Sequence, residues 1–384
     1  MKQFQKLMIL KKPQMFIGVN MIELFVNEAE DRYPSSHASV VIELENGDLF
    51  SAWFAGSVES AVDTVILGSR LKKDELNWSN PKVLVNVDQH AAGNPRLFYG
   101  PDRALWLIAP VNYGVWCHGG TRLYLKKSFD HGQTWSDLAL FIEEPGILGK
   151  NRPYQLRSNS DVWIVPAEDE DAYVCNFIRS ENNGESWELF GELGKSGNIR
   201  VDQPALVEFD DGTLMVLMRS WEGYIYKSYS KDTGKTWSTV EATELLNNNS
   251  GIDVTRAQNG DLLLVHNPTA LSDSGTLIVD QSLKGTPGFE LTVSEFSRDK
   301  KGAREKNPDI VLVYPKWGPR TPLRISVSQD NGNTWTGVYE LEDQPGEYSY
   351  PSIMQGSDGD FHIVYTYNRT RIKYVSLEEN FYKK

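Results

Sequence analysis

Eleven residues of this 384-residue sequence have types and spacing suited to shared chemistry: His37, Asn94 with Arg96, Asn151 with Arg152, Asp202 with Gln203, Asp253 with Arg256, and Tyr348 with Tyr350. An imidazole exchanges a proton near neutrality and can act as general acid or base. A guanidinium keeps its charge and grips a carboxylate through paired hydrogen bonds. Amides and phenols add donors and acceptors that orient a ligand. These residues are far apart in the chain, so they act together only if the fold brings six segments to one place.

The chain repeats itself in a way that would do this. Each group opens an apolar stretch, a turn of the Asn-Gly or Asp-Gly kind, and a second apolar stretch. The copies occupy residues 37–54 (HASVVIELENGDLFSAWF), 94–110, 151–167, 202–219 (DQPALVEFDDGTLMVLMR), 251–267 and 350–367 (YPSIMQGSDGDFHIVYTY). Apolar runs bounded by such turns read as strand hairpins. A second phrase, S-x-[DN]-x-G-x-[ST]-W, recurs at 128–135 (SFDHGQTW), 180–187 (SENNGESW), 230–237 (SKDTGKTW) and 328–335 (SQDNGNTW), with a degraded relative at 69–78. Its Asp or Asn can bond the following backbone, its Gly can take positive φ, and its Trp is a large apolar anchor. Six units at this period predict an all-β, six-bladed propeller of four-stranded antiparallel blades, forming one domain over residues 1–384. The first strand of each unit would line the channel and deliver its opening residues to one mouth. Residues 16–27 read as a strand that completes the last blade. The long interval at 269–319, with its charged run at 297–306, reads as an insertion within blade five.

Composition narrows the partners. A net charge of −13 argues against nucleic acid, since a polyphosphate needs a basic surface, but leaves room for a locally basic pocket. Two cysteines imply no disulfide framework. The N-terminal stretch is a poor secretion signal and no run is long enough to cross a membrane, so a soluble, cytoplasmic protein is expected.

The four phrases resemble the Asp boxes of sialidases, and the order of the six units is similar to the sialidase (neuraminidase) superfamily over nearly the whole chain. The nearer likeness is to bacterial sialidase-like BNR-repeat proteins, carried by HASVVIELENGDL, GNPRLF, SGIDVTRAQNGDLLLVHNPT and EYSYPSI. The resemblance implies arginines that clamp a substrate carboxylate at Arg219 and Arg320. It places the tyrosine nucleophile at Tyr348, with Tyr350 its neighbour and competitor, and the acid/base at Asp63, with Glu59 the alternative. The sequence departs from the family twice. His37 stands where an Arg-Ile-Pro motif would put a further arginine, and Gln203 stands where a glutamate would activate the tyrosine. Gln keeps hydrogen bonding but cannot take a proton.

The expected activity is cleavage of the glycosidic bond of a terminal acidic sugar, with Arg152, Gln203, Arg96, Asn94 and Arg256 as further substrate contacts. A uronate lyase with His37 as base and a non-catalytic glycan-binding propeller are the alternatives. His90 and His118 fall in plausible mouth loops, and Trp221 and Trp116 could stack on a sugar. The acidic run at 168–171 reads as a solvated loop. No metal or cofactor is expected, and the partner is an acidic glycan.

Overall fold

A computed structural model describes residues 21–113, 120–170, 172–271, 277–278, 311–312 and 317–383. It is a six-bladed β-propeller of antiparallel sheets with four principal strands per blade. Blade one illustrates the plan: Ser35–Glu43 lies innermost, followed outward by Leu49–Gly56, Val65–Leu71 and Lys82–Val85. In blade six the innermost strand is Tyr348–Gln355, and the outermost is the N-terminal Met21–Phe25, hydrogen-bonded to Arg371–Leu377 with Met21 opposite Leu377. Blade five pairs Leu262–His266 directly with Leu323–Ser328, so the intervening chain is an excursion between neighbouring strands. Within it, Leu277–Ile278 pairs with Val311–Leu312.

Successive side chains of a strand point to opposite faces, and each blade therefore buries one face against each neighbour. On the innermost strand of blade one, Val40 and Ile42 pack with Leu97, Leu105 and Leu107 of blade two, whereas Val41 packs with Met354 and Val364 of blade six. Six such inter-blade cores follow one another around the ring. Burial of this apolar surface, at roughly 25 cal/mol per Å², is what holds the circle shut.

The Asp boxes lie at the end opposite the mouth, where each third strand turns into its fourth. In the first box Ser128 Oγ accepts from Gly132 N at 2.7 Å, and Asp130 accepts from Thr134 N at 2.8 Å and Thr134 Oγ1 at 2.5 Å. The same bonds recur around Asp330. The residue before each box glycine and the glycine itself both take positive φ, as His131 (57°) and Gly132 (81°) do. The box tryptophans then pack onto the inter-blade cores, and Trp237 stacks on Phe177 with ring centroids 4.5 Å apart.

These turns give the fold an acid-sensitive component. The Thr134 hydroxyl and amide hold Asp130 at about 2, and the amide and hydroxyl of Thr334 do the same for Asp330. A carboxylate depressed in the folded state stabilises above its ordinary value of 3.8, and that stabilisation is lost as pH falls toward 2. Thermal melts taken from pH 5 to pH 2 should therefore show a steep decline for the wild type. A protein carrying both Asp130→Asn and Asp330→Asn should melt lower at pH 5 and decline less. Parallel curves would refute this reading of the boxes.

Candidate active site

The mouth is built by a distortion repeated in three innermost strands. Ala38, Gln203 and Tyr350 have φ of 54°, 50° and 52°, and the pairing register shifts across each: between His37 and Val40, Asp202 and Ala205, and Ser349 and Ser352. A bulge of this kind re-aims the side chains beside it, and left-handed non-glycine residues gather where a site demands them. Here it turns Gln203 and Tyr350 toward each other across the channel.

Tyr350 is the centre of the cluster. Its hydroxyl accepts from Arg219 Nη1 at 2.6 Å and from Gln203 Nε2 at 3.4 Å. The Arg219 and Arg320 guanidiniums lie 5.8 and 5.5 Å from the ring centroid. The His37 ring is tilted against the Tyr350 ring at a centroid distance of 4.2 Å. His37 is fully buried; its Nδ1 is 2.8 Å from Thr366 Oγ1, and its Nε2 has no hydrogen-bond partner among the described residues. Burial, reinforced by Arg369, Arg320, Lys150 and Arg219, pushes its pKa well below 6.5, so the imidazole is neutral at ordinary pH.

A layer of charge lies behind Gln203. Arg219 donates from Nη1 to Gln203 Oε1 at 3.0 Å and from Nε to Asn249 Oδ1 at 3.1 Å, and it pairs with Asp202 at 3.7 Å. Glu168 accepts a hydrogen bond from the Gln203 backbone N. Burial and the neighbouring Asp202 raise the Glu168 carboxyl to about 8, and burial also raises Asp202. Burial opposes the Arg219 charge, but Tyr350, Asp202 and Glu168 more than offset this and raise its pKa. Lys150, also buried, reaches Asn151 Oδ1 at 3.0 Å, Ile252 O at 3.3 Å and Pro351 O at 2.5 Å, which ties blades three, five and six together across the axis.

Other residues singled out by sequence are placed differently. Tyr348 is 2% exposed and packs against Tyr367 in the core between blades five and six, away from the Arg219 contact that Tyr350 makes. Arg256 is at the far end of its four-residue strand, bonded through both terminal nitrogens to Asp210 at 2.7 Å, so it cannot reach the mouth. Arg96 is buried against blade three and donates to Pro166 O at 2.8 Å, and no hydrogen bond joins it to Tyr350 among the described residues. Asn94 is buried with Nδ2 unpartnered among the described residues. Arg152 reaches across to Ile353 O at 3.2 Å, and Asp253 accepts from Ile353 N at 2.9 Å. Asp63 is exposed and accepts from Ser57 N and Oγ, which makes it a loop cap. Glu59 is instead paired with Arg369. His90 packs on Tyr113 at 4.1 Å, and Trp221 donates to Asp202 at 2.9 Å. His118 and Trp116 lie outside the described residues.

The acidic run at 168–171 is not a solvated loop over its described residues: Glu168 and Glu170 are buried, and Glu170 accepts from Thr121 N and Oγ1 at 2.9 and 3.0 Å. Glu168 lies near the end of the buried strand Trp163–Asp169, and Glu170 is in the turn that follows. No set of three metal-ligating side chains occurs among the described residues. Sequence reasoning passed over Arg369, Glu347, Lys150 and Asn249, and placed the buried Glu168 in a solvated loop. Of these, Arg369 carried a signal, because it takes the second place of an Asn-X hairpin turn where glycine is usual.

A match to the BNR repeat-like domain spans residues 47–363. The chain is 22% identical over 291 residues to an anhydrosialidase of Macrobdella decora, covering 71% of this chain and about a third (31%) of that protein's length. Among solved structures, a protein of unknown function from Dyadobacter fermentans superposes with a TM-score of 0.69 at 13% identity, covering 94% of this chain and 99% of that one. The intramolecular trans-sialidase from Ruminococcus gnavus, in complex with oseltamivir carboxylate, superposes with a TM-score of 0.66 at 15% identity, covering 96% and 99%. At these identities the likeness is one of fold.

Proposed function

We propose a carbohydrate-active role for this chain, which belongs to the BNR repeat-like domain family: exo-cleavage of the glycosidic bond of a terminal acidic sugar, a sialic or uronic acid. The observation that carries this reading is the convergence of Arg219 and Arg320 on one tyrosine ring, with a neutral histidine against the same ring. Two guanidiniums from different blades suit a carboxylate, which they would grip through charge-assisted hydrogen bonds. The Tyr350 oxygen, with both its protein contacts donating to it, would face the reacting carbon. His37 would move a proton through Nε2, the nitrogen that Thr366 leaves open. Of the two loop carboxylates, Glu59 is tied into the cluster through Arg369, and Asp63 sits at the rim.

A second reading, β-elimination at a uronate, is supported by two features of this chain. A neutral imidazole with an unpartnered nitrogen can accept the proton α to the carboxylate, and Gln203 cannot deprotonate Tyr350. In that reaction the C5 proton passes to His37, the C4–O bond breaks with its electron pair leaving on oxygen, and a C4–C5 double bond remains.

Product mass from a panel of sialylated and uronate-bearing oligosaccharides separates the two. Hydrolysis adds one water across the bond, whereas elimination adds none and leaves an ultraviolet-absorbing product. Failure to cleave any member of the panel would end the enzymatic reading. Because the His37 pKa lies well below 6.5, kcat/KM should stay flat as pH falls through 6.5 and decline only at more acid pH. A half-maximal point at or above 6.5 would show that His37 is not the proton carrier.

A further inference from the structure

The hairpin that joins the second and third strands of blade six departs from the usual choice of residues. Thr370 N bonds Tyr367 O at 3.2 Å, and the two residues between them, Asn368 and Arg369, take left-handed φ of 50° and 54°. Two consecutive left-handed residues make a tight hairpin that normally reads Asn-Gly, because glycine enters that region without steric cost. Arginine is the strained choice here. Strain of this kind, beside the buried His37, points to a need for the side chain.

That side chain is anchored on two sides. Arg369 Nε donates to Glu347 Oε1 at 2.6 Å, and Nη1 donates to Glu59 of blade one. The same Glu347 oxygen accepts from Arg320 Nη1 at 2.8 Å, so a single carboxylate oxygen sets the spacing of two guanidiniums. Burial opposes the Glu347 charge, but the two arginines pull its pKa below the usual range, and the bridge stays ionised. The backbone is fixed as well, with Arg369 O accepting from Ser36 N at 2.7 Å, next to His37. Arg369 Nη2 has no hydrogen-bond partner among the described residues, and the side chain is 28% exposed. After burial, Arg369 is the strongest influence on His37, ahead of Arg320.

We propose that Arg369 is a specificity-determining residue of the pocket, holding Arg320 in place through Glu347 and offering its remaining guanidinium edge to the carboxylate of an acidic sugar. This rests on the acidic-sugar reading above. It adds a cation from blade six that the repeat heads do not reveal. The left-handed turn explains how a side chain between the second and third strands comes to reach Glu347 and Glu59.

The test uses N-acetylneuraminic acid and glucuronic acid, each beside its uncharged methyl ester, titrated into wild type, Arg369→Gly and Arg369→Lys. The wild type should prefer acid over ester. Arg369→Gly puts into the turn the residue it favours, so folding should survive, as a thermal melt will show. Its affinity for the acid should fall about ten- to a hundredfold, the range for losing a hydrogen bond between charged groups, while ester binding changes less than twofold. Arg369→Lys keeps the charge without the planar fork and should fall between. An unchanged acid-to-ester ratio in folded Arg369→Gly overturns the inference and leaves the acidic-sugar reading standing. Should the glycine variant not fold, an unchanged ratio in Arg369→Lys overturns it equally. A wild type with no preference for either acid overturns both.

Discussion

On the proposed activity, Tyr350→Phe is expected to lower kcat by about 10²- to 10⁴-fold on the acidic oligosaccharide that is cleaved, with little change in melting temperature. The substitution removes one oxygen and keeps the ring. The ring is what packs against His37 at 4.2 Å and lies beside both guanidiniums. Arg219 loses the 2.6 Å bond to the hydroxyl but retains Gln203, Asn249 and Asp202, so no buried charge is stranded. Because Arg320 does not bond the phenol and Arg219 keeps its other partners, the carboxylate grip survives and KM should move far less than kcat. A Tyr350→Phe enzyme that kept more than a tenth of wild-type kcat would place the chemistry elsewhere. In contrast, Tyr348→Phe should cost little activity, since Tyr348 is enclosed in the core between blades five and six.

Arg219→Ala should be the most damaging single change to stability, at about 3–5 kcal/mol, the usual cost of stripping one partner from a buried ion pair. Asp202 and Glu168 would lose the cation that offsets their burial, and Gln203 would lose its orienting partner. The sign of the pH dependence follows. Without Arg219 both carboxyls move further upward, so the variant folds with carboxyls that hold protons which the unfolded chain releases. Its deficit should therefore be largest above pH 8 and shrink as pH falls and the carboxyls are neutralised. Urea denaturation at pH 6 and pH 8.5 would measure this. Adding Asp202→Asn should recover part of the loss, and a deficit independent of both pH and Asp202 would contradict the network.

The blades were legible because their signals are local and repeated. Alternating apolar runs, Asn-Gly turns and box tryptophans each occur several times, and each has one physical meaning. The site was legible only in part, and the misplacements have identifiable causes. Tyr348 and Tyr350 differ by one turn of strand alternation, but the positive φ at Tyr350 inserts a bulge that breaks the alternation between them, and no count of residues reveals it. Arg256 heads a repeat in the sequence, yet its strand is only four residues long and carries it to the opposite end. Glu168 looked solvated because it sits in an acidic run, whereas the end of its strand turns it into the interior. Arg369 was hidden because it comes from the turn between two later strands and not from the head of a repeat.

The pairing of Met21–Phe25 with Arg371–Leu377 has a kinetic consequence. It joins segments roughly 350 residues apart in sequence, a loop closure whose entropic cost falls late in folding. The sheet completed by that event bears Tyr350 and Arg369, and blade one, against which it docks, bears His37. Blades two to four can thus assemble from near neighbours without bringing His37, Arg219 and Tyr350 together. During renaturation, recovery of the proposed activity should trail recovery of strand signal, and the delay measures how long the two ends of the chain take to find each other.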